Sequence, residues 1–350
     1  MSNQYSAQPN KSPSLVVHGP REVVVEERAA PTPGPGEVLV VASHVGLCGT
    51  DLEIIDGDLD PAYVSLPLVL GHEWAGRVAA LGSGVDTLAV GDHVVVEGVL
   101  ACGICRECRR GATNLCTDYD ELGFTADGAL GPGVAVAAHL VHRLSSDVPI
   151  EAGALVEPAA VVLRGLREIR PAPGERVLVL GDGTVALLAA MLVRLWSPAW
   201  VAVAGRRAEQ GALATASGAD AFTVDTPERA AYDLVVEAAG STQAVETAVW
   251  AARRGGRVLL LGIAGHGQTA RIQVDDLVNN DLTLRGSFSY TAEAWAEVVR
   301  LLNARSIDPL PLVTHRFDLT QFERAIKVLR EGDGGARGKV MFVVDRDAGR

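Results

Sequence analysis

Cys102, Cys105, Cys108 and Cys116 form a C-x2-C-x2-C-x7-C run inside VLACGICRECRRGATNLC. Thiolates spaced this closely can close around one tetrahedral zinc without help from distant parts of the chain. Bacterial iron–sulfur runs open the same way but continue x3-C-P, whereas here Cys116 follows seven residues later and precedes Thr117. Disulfide frameworks belong mostly to short secreted chains, and 350 residues can bury a large core without staples. The spacing therefore predicts a structural zinc site on these four cysteines. Only Cys48 remains, in GLCGTD, upstream of the triplet Gly71-His72-Glu73. One closed metal site and one open one are expected.

A second chemical signature is Gly181-Asp182-Gly183-Thr184-Val185-Ala186, a G-x-G-x-x-A turn that follows a Val-rich strand and opens a helix. Gly181 permits the tight turn, Gly183 lets the backbone approach a pyrophosphate, and Ala186 keeps helix and strand close. The amides at the start of the helix, with its positive dipole end, suit phosphate. About 20 residues further on, NAD-preferring domains place a carboxylate for the ribose hydroxyls. This chain has Gly205-Arg206-Arg207 there, and guanidiniums can pair with a 2′-phosphate that a carboxylate would repel. NADP is expected over NAD, the alternative being that the arginines cap the next helix or face solvent.

The elements that must position these residues can be read from texture. Residues 15 to 150 alternate short Val-rich runs with Pro and Gly, the pattern of a β-rich domain. From about 155 strand and helix alternate: RVLVLG then VALLAAMLVRL, AWVAVAG then AEQGALATASG, YDLVVEAAG then TQAVETAVWAA, and RVLLLGIAG. Such alternation predicts a parallel, doubly wound sheet. The tail, with helices in TAEAWAEVVRLLNA and LTQFERAIKVLREG and a strand KVMFVV, is expected to return to the first domain. Residues 177 to 196 are apolar over about the ~20 residues that span a bilayer, but Asp182 and Arg194 interrupt them. They read instead as a strand over 176–180 and a helix over 184–196. The polar N-terminus MSNQYSAQPNKSPS, residues 1–14, lacks an apolar stretch and reads as a disordered extension, with cytoplasmic residence following. A net charge of −12 and scattered arginines argue against nucleic acid.

Taken together, PGPGEVLV, VGLCGTD, LVLGHEWAGRV, VDTLAVGDHVV, the four-cysteine lobe, LVEPAAV, the glycine turn and GGRVLLLGIAG resemble, in order, the zinc-containing medium-chain alcohol and polyol dehydrogenases. The likeness covers nearly the whole chain after residue 14. It implies an α/β protein: a GroES-like catalytic domain on 15–155 and 288–350 and a Rossmann dinucleotide-binding domain on 156–287, with the active site between them. It also implies two zinc ions per chain, a small-molecule substrate, a homo-oligomer (dimer or tetramer), and no membrane partner. By motif, Cys48 and His72 would hold a catalytic zinc, with Glu73 as ligand or close neighbour. Glu157 of LVEPAAV matches the carboxylate of the sorbitol and threonine dehydrogenase branches. Asp51 resembles the carboxylate that orients the histidine ligand, and Thr50 the hydroxyl that relays the substrate proton. Gly205, Arg206, Arg207, Gly262, Ile263, Ser287 and Phe288 join the glycine turn (Gly181, Gly183, Thr184, Val185, Ala186) as cofactor-contacting positions.

Two departures bear on substrate. Where many relatives carry a histidine two residues after the Asp of CGTD, this chain has Glu53, as in the glucose dehydrogenase branch. Glu53 is expected either to relay protons or to accept hydrogen bonds from a polyhydroxylated or amino-bearing substrate, against the plainer reading of a solvated loop carboxylate. Arg164 replaces a frequent histidine. The expected reaction is hydride transfer between a secondary hydroxyl of a sugar, polyol or (amino)cyclitol and NADP. The alternatives are a ketone reductase acting on a specialised metabolite and a catalytically silent NADPH-binding relative. His93, His142 and His315 are expected to be structural.

Overall fold

The structure, a computed structural model, describes residues 11–344. Its amino-terminal half is built on the long strand Glu37–Leu47, whose side chains alternate between core and half-buried positions. It pairs antiparallel with Glu73–Leu81, with Lys339–Val343 from the tail, and with Val134–Ala137. The register is what builds a site: Gly46 lies opposite Glu73, and Leu47 opposite Val340. Cys48, just past the end of one strand, therefore meets His72 and Glu73 at the start of another and Lys339 at the start of a third. The tail thus returns to the first sheet, as its apolar KVMFVV run predicts.

The second layer system is a six-stranded parallel sheet in the spatial order Ala221–Thr223, Trp200–Ala204, Arg176–Leu180, Tyr232–Glu237, Ala252–Leu260, Thr283–Gly286. Val177, Leu178 and Val179 are wholly excluded from solvent because helices cover both faces. At about 1.5–3 kcal/mol for each fully buried side chain of this size, this is the natural anchor for the loops at the strands' carboxyl ends. Chain order reverses between Arg176–Leu180 and Tyr232–Glu237, and ligands of open parallel sheets bind at such a reversal. The apolar stretch over 177–196 is the strand Arg176–Leu180, the helix Thr184–Val193 and a closing 3-10 turn Arg194–Trp196. No helix among the described residues is long and apolar enough to cross a membrane.

One boundary needs correction. The extension assigned to residues 1–14 ends earlier, because Lys11–Gly19 is a strand paired with Glu22–Ala29 and Ser14 is fully buried. An antiparallel hairpin is held by backbone bonds that any side chain permits, so polar composition alone misplaced its start. Residues 1–10 lie outside the described residues. The helix Val156–Ile169 carries Glu157 in its first turn and buries Ala159, Ala160, Leu163, Leu166 and Ile169 along one stripe.

Candidate active site and metal centres

Cys48 is the N-cap of the helix Gly49–Asp56, and its backbone N–H donates to Asp51 Oδ2 at 2.8 Å. Asp51 is fully buried, and its Oδ1 lies 3.3 Å from His72 Nδ1; neither of these two atoms has a hydrogen-bond partner. The ring of Phe124 stands 4.9 Å from the imidazole. Ligand atoms of Cys48, His72 and Glu73 all fall within 4.8 Å of one another. Burial works against a charged His72, yet Asp51 and Cys48 lift it well above its usual value. Sulfur, imidazole and carboxylate form a donor set that suits zinc. Asp51 stands where it can fix the imidazole's orientation.

The two glutamates expected near this centre are placed differently. Glu73 forms a buried ion pair with Lys339, which also donates to the Leu47 carbonyl at 3.2 Å. Gly46 makes room for the pair: a Cβ there would lie 2.5 Å from Glu73 Oε2 and 3.1 Å from Lys339 Cδ. Glu157 falls outside the close ligand group and makes no hydrogen bond among the described residues. Burial pushes its carboxyl up to about 8, and Glu73 and Glu121 add to the effect against His72 and Lys339. One carboxylate is tied by an ion pair and the other is not.

Thr50 Oγ1 lies 3.7 Å from Cys48 Sγ. Glu53, on the same helix and half-buried, is raised by burial and by Asp58, and its side chain makes no hydrogen bond among the described residues. A cavity of about 240 Å³ opens between the Pro61–Tyr63 turn and residues 117–125. Of the histidines expected to be structural, His142 Nε2 pairs with Glu97 at 2.8 Å and His315 Nε2 with Asp333 at 3.1 Å. Burial lowers His93.

The four-cysteine lobe is compact. Cys102 and Cys108 sulfurs are 3.9 Å apart, as are those of Cys105 and Cys116, and no disulfide joins them. Tetrahedral zinc with bonds of about 2.3 Å spaces its sulfurs by about 3.8 Å. Backbone N–H groups of Cys105 and Cys108 point at Cys102 Sγ and Cys105 Sγ at 3.4 Å each, and that of Cys102 at Cys116 Sγ at 3.3 Å. The Cys108 amide leads in lowering the Cys105 thiol to about 6. Amides that favour thiolates are what a metal site requires.

At the dinucleotide turn, Gly181 has φ +120°, and a Cβ there would meet the Ala238 carbonyl carbon at 2.9 Å. A Cβ on Gly183 would meet nothing within 4 Å, so that face is open to a ligand. Thr184, Val185 and Ala186 form the first turn of the following helix. Gly262 packs against Gly240, while Ile263 and Phe288 present exposed apolar surface near the same edge. Arg164 donates to Ser287 Oγ at 2.9 Å, and Asn114 to the Phe288 carbonyl at 2.8 Å, which anchors that segment.

The expected arginine pair is not symmetric. Asp182, from within the glycine turn, reaches across to Gly205, where a Cβ would lie 2.7 Å from its Oδ2. It accepts the N–H groups of Arg206 and Arg207 at 2.8 and 3.0 Å and pairs with the Arg207 guanidinium at 2.7 Å. A carboxylate thus occupies the strand end after all, but it is neutralised by Arg207. Arg206 is exposed and has no ion pair among the described residues. Buried Gln210 ties this corner to the tail, donating to the Arg337 carbonyl at 2.8 Å and accepting its N–H at 2.7 Å.

Comparison with known proteins accords with this arrangement. Residues 34–146 match the alcohol dehydrogenase GroES-like domain and residues 184–304 the zinc-binding dehydrogenase domain. Sorbitol dehydrogenase of Macaca fascicularis is 31% identical over 346 residues, covering 93% of this chain and 94% of its own. A structure from Sinorhizobium meliloti 1021 bound to NADP superposes with a TM-score of 0.87 at 26% identity, over 96% of this chain and 100% of that one. An alcohol dehydrogenase from Escherichia coli CFT073 complexed with NADH gives a TM-score of 0.86 at 28% identity, over 95% and 99%. The chain belongs to the zinc-containing medium-chain alcohol and polyol dehydrogenases, oxidoreductases acting on CH–OH groups.

Sequence reasoning missed Lys339, Asp182, Gln210 and Glu121. Lys339 had a usable signal, since a lone Lys heading an otherwise apolar strand must find a partner on burial. Asp182 and Gln210 act through side-chain reach across a turn, which no spacing rule reports.

Proposed function

We propose that this protein is a zinc-dependent dehydrogenase that prefers NADP and acts on a secondary hydroxyl of a sugar, polyol or cyclitol. The observation that carries this reading is the meeting of Cys48, His72 and Glu73 at one sheet end, in a chain whose dinucleotide turn leaves Gly183 open to a ligand. Cys48, His72 and a carboxylate would hold the catalytic zinc, with Glu157 the free carboxylate and Glu73 held back by Lys339. Cys102, Cys105, Cys108 and Cys116 would hold the structural one. When bound, the zinc supplies Lewis acidity that lowers a hydroxyl pKa, and the nicotinamide supplies the hydride acceptor.

The chain's own residues do the rest. Asp51 fixes the imidazole of His72 and, through the Cys48 amide, the cap that presents the thiolate. Thr50, next to Cys48, is placed to take the substrate proton and pass it outward. Lys339 pairs with buried Glu73 and holds that carboxylate in place beside the centre. Exposed Arg206 is the guanidinium available to a 2′-phosphate, because Arg207 already answers Asp182. The working division is 11–155 with 288–350 against 156–287, which keeps the six-stranded sheet and the strand Lys11–Gly19 whole. The oligomer implied by the family, dimer or tetramer, is readable by light scattering.

The test is absorbance of the reduced nicotinamide on mixing zinc-loaded protein with NADP or NAD and a panel of polyols, aldoses, cyclitols and simple secondary alcohols. Turnover of a polyhydroxylated compound with NADP is expected. Arg206→Ala should lower kcat/KM for NADP by about ten- to a hundredfold, the worth of one charged hydrogen bond, with little change for NAD. Comparable efficiency of the wild type with the two cofactors would sink the NADP preference.

A further inference from the structure

The cavity between the Pro61–Tyr63 turn and residues 117–125 has a chemistry of its own. Tyr63, Thr117, Asp118, Tyr119, Glu121 and Thr125 line it, and no Lys, Arg or His does. The carboxylates of Asp118 and Glu121 have no hydrogen bond and no ion pair among the described residues. Thr125 cannot answer Glu121, since its hydroxyl accepts the Glu121 N–H at 2.8 Å and donates to Asp120 at 3.0 Å. The same turn sets Phe124 beside the His72 ring, and a Cβ on Gly123 would lie 3.1 Å from the His72 backbone N. The turn that lines the cavity therefore packs against His72. Burial raises the Glu121 carboxyl above its usual range, with His72 working against the shift.

A part-buried carboxylate without a protein partner, Glu121, an exposed one, Asp118, and two phenol rings make a poor receptor for a neutral ligand and a worse one for an anion. Desolvating a carboxylate costs free energy that a hydroxyl only partly returns, whereas an ammonium offers a charge-assisted bond to the carboxylate and a cation–π contact to the rings. We propose that this cavity receives an ammonium group of the substrate, with Glu121 as its partner, so that the enzyme's substrate is an amine-bearing polyol or cyclitol rather than a neutral or phosphorylated one. This rests on the dehydrogenase reading above.

The experiment is calorimetric binding of glucamine, N-acetylglucamine, sorbitol and sorbitol 6-phosphate to the full chain loaded with zinc and NADP, with Glu121→Gln and Asp118→Asn alongside. Glucamine should bind at least about tenfold more tightly than the other three, and Glu121→Gln should abolish most of that ratio. Equal binding of the four, binding of none in the millimolar range, or a ratio that survives Glu121→Gln would each overturn the proposal. Should Glu121→Gln fail to fold, the wild-type ranking of the four compounds still decides. Turnover is read separately: a tenfold amine preference without oxidation of any alcohol would reject the dehydrogenase reading while the ammonium site stands.

Discussion

The protein carries two groups of side chains that could hold a metal ion, and they are opposites in construction. The lobe takes Cys102, Cys105, Cys108 and Cys116 from fifteen consecutive residues and turns its own backbone amides onto its sulfurs. The cleft group gathers Cys48, His72 and Glu73 from separate stretches of chain, with Lys339 paired to Glu73 and Asp51 Oδ1 facing His72 Nδ1 at 3.3 Å. A site made locally can be complete in itself and act as a staple. A site made by strand register depends on the whole sheet, and in the proposed reading its three close donors leave room for a substrate.

Removing one ligand from each group should separate these roles most sharply. Cys48→Ala is expected to lower turnover by about a thousandfold or more, since a catalytic metal supplies several kcal/mol of charge stabilisation. Zinc should fall from two ions to one, with the melting temperature nearly kept. Cys102→Ala should also lose one zinc but melt several degrees lower, because a structural metal contributes directly to folding. Metal analysis by mass spectrometry with thermal melting reads both, and equal loss of stability in the two variants would erase the distinction.

The next effect lies in the tied carboxylate. Lys339→Met leaves Glu73 buried without its partner, which should cost about 3–5 kcal/mol in denaturant unfolding. The double variant Lys339→Met, Glu73→Gln should recover much of this, since a neutral amide has no charge to leave unanswered. If the single and double variants unfold alike, the ion pair is not what holds this end of the sheet.

How much of this was legible follows from the same contrast. The four-cysteine lobe could be read from spacing alone, because its geometry is set by a few consecutive residues. The parallel sheet could be read from alternating apolar runs, and the strand over 176–180 falls where the Val-rich run places it. Cys48 and His72 suggested an open site, but the roles of Asp51, Glu73 and Glu157 in it came only by resemblance, since the register that sets Gly46 against Glu73 is a long-range property. Lys339 and Asp182 were invisible for a related reason: their roles depend on how far a side chain reaches in three dimensions. The hairpin start at Lys11 was missed because polar residues pair through backbone as well as apolar ones do.

A smaller effect tests the relay. Thr50→Val keeps the shape of the side chain and removes its hydroxyl, so turnover should fall by about a hundredfold, the usual scale for a positioned acid–base group. Both zinc ions should stay, because Thr50 touches Cys48 without replacing any ligand. Near wild-type turnover would take Thr50 out of the proton path and shift attention to Glu53.

The finest distinction concerns Glu157, the carboxylate left free in the open group. Its folded-state value of about 8 lies above its ordinary 4.5, with burial the first cause. Once the cleft zinc is stripped by a chelator, the folded protein therefore holds this proton more tightly than the unfolded chain does. The stability tied to that proton is present at low pH and is lost as pH rises from about 4.5, levelling off above about 8. Glu157→Gln cannot lose it. The melting advantage of Glu157→Gln over wild type, both stripped, should be small at pH 5.5 and grow steadily to pH 8. A difference that does not change between pH 5.5 and 8 would mean that Glu157 is solvated, and that the open group, like the lobe, carries no uncompensated carboxylate.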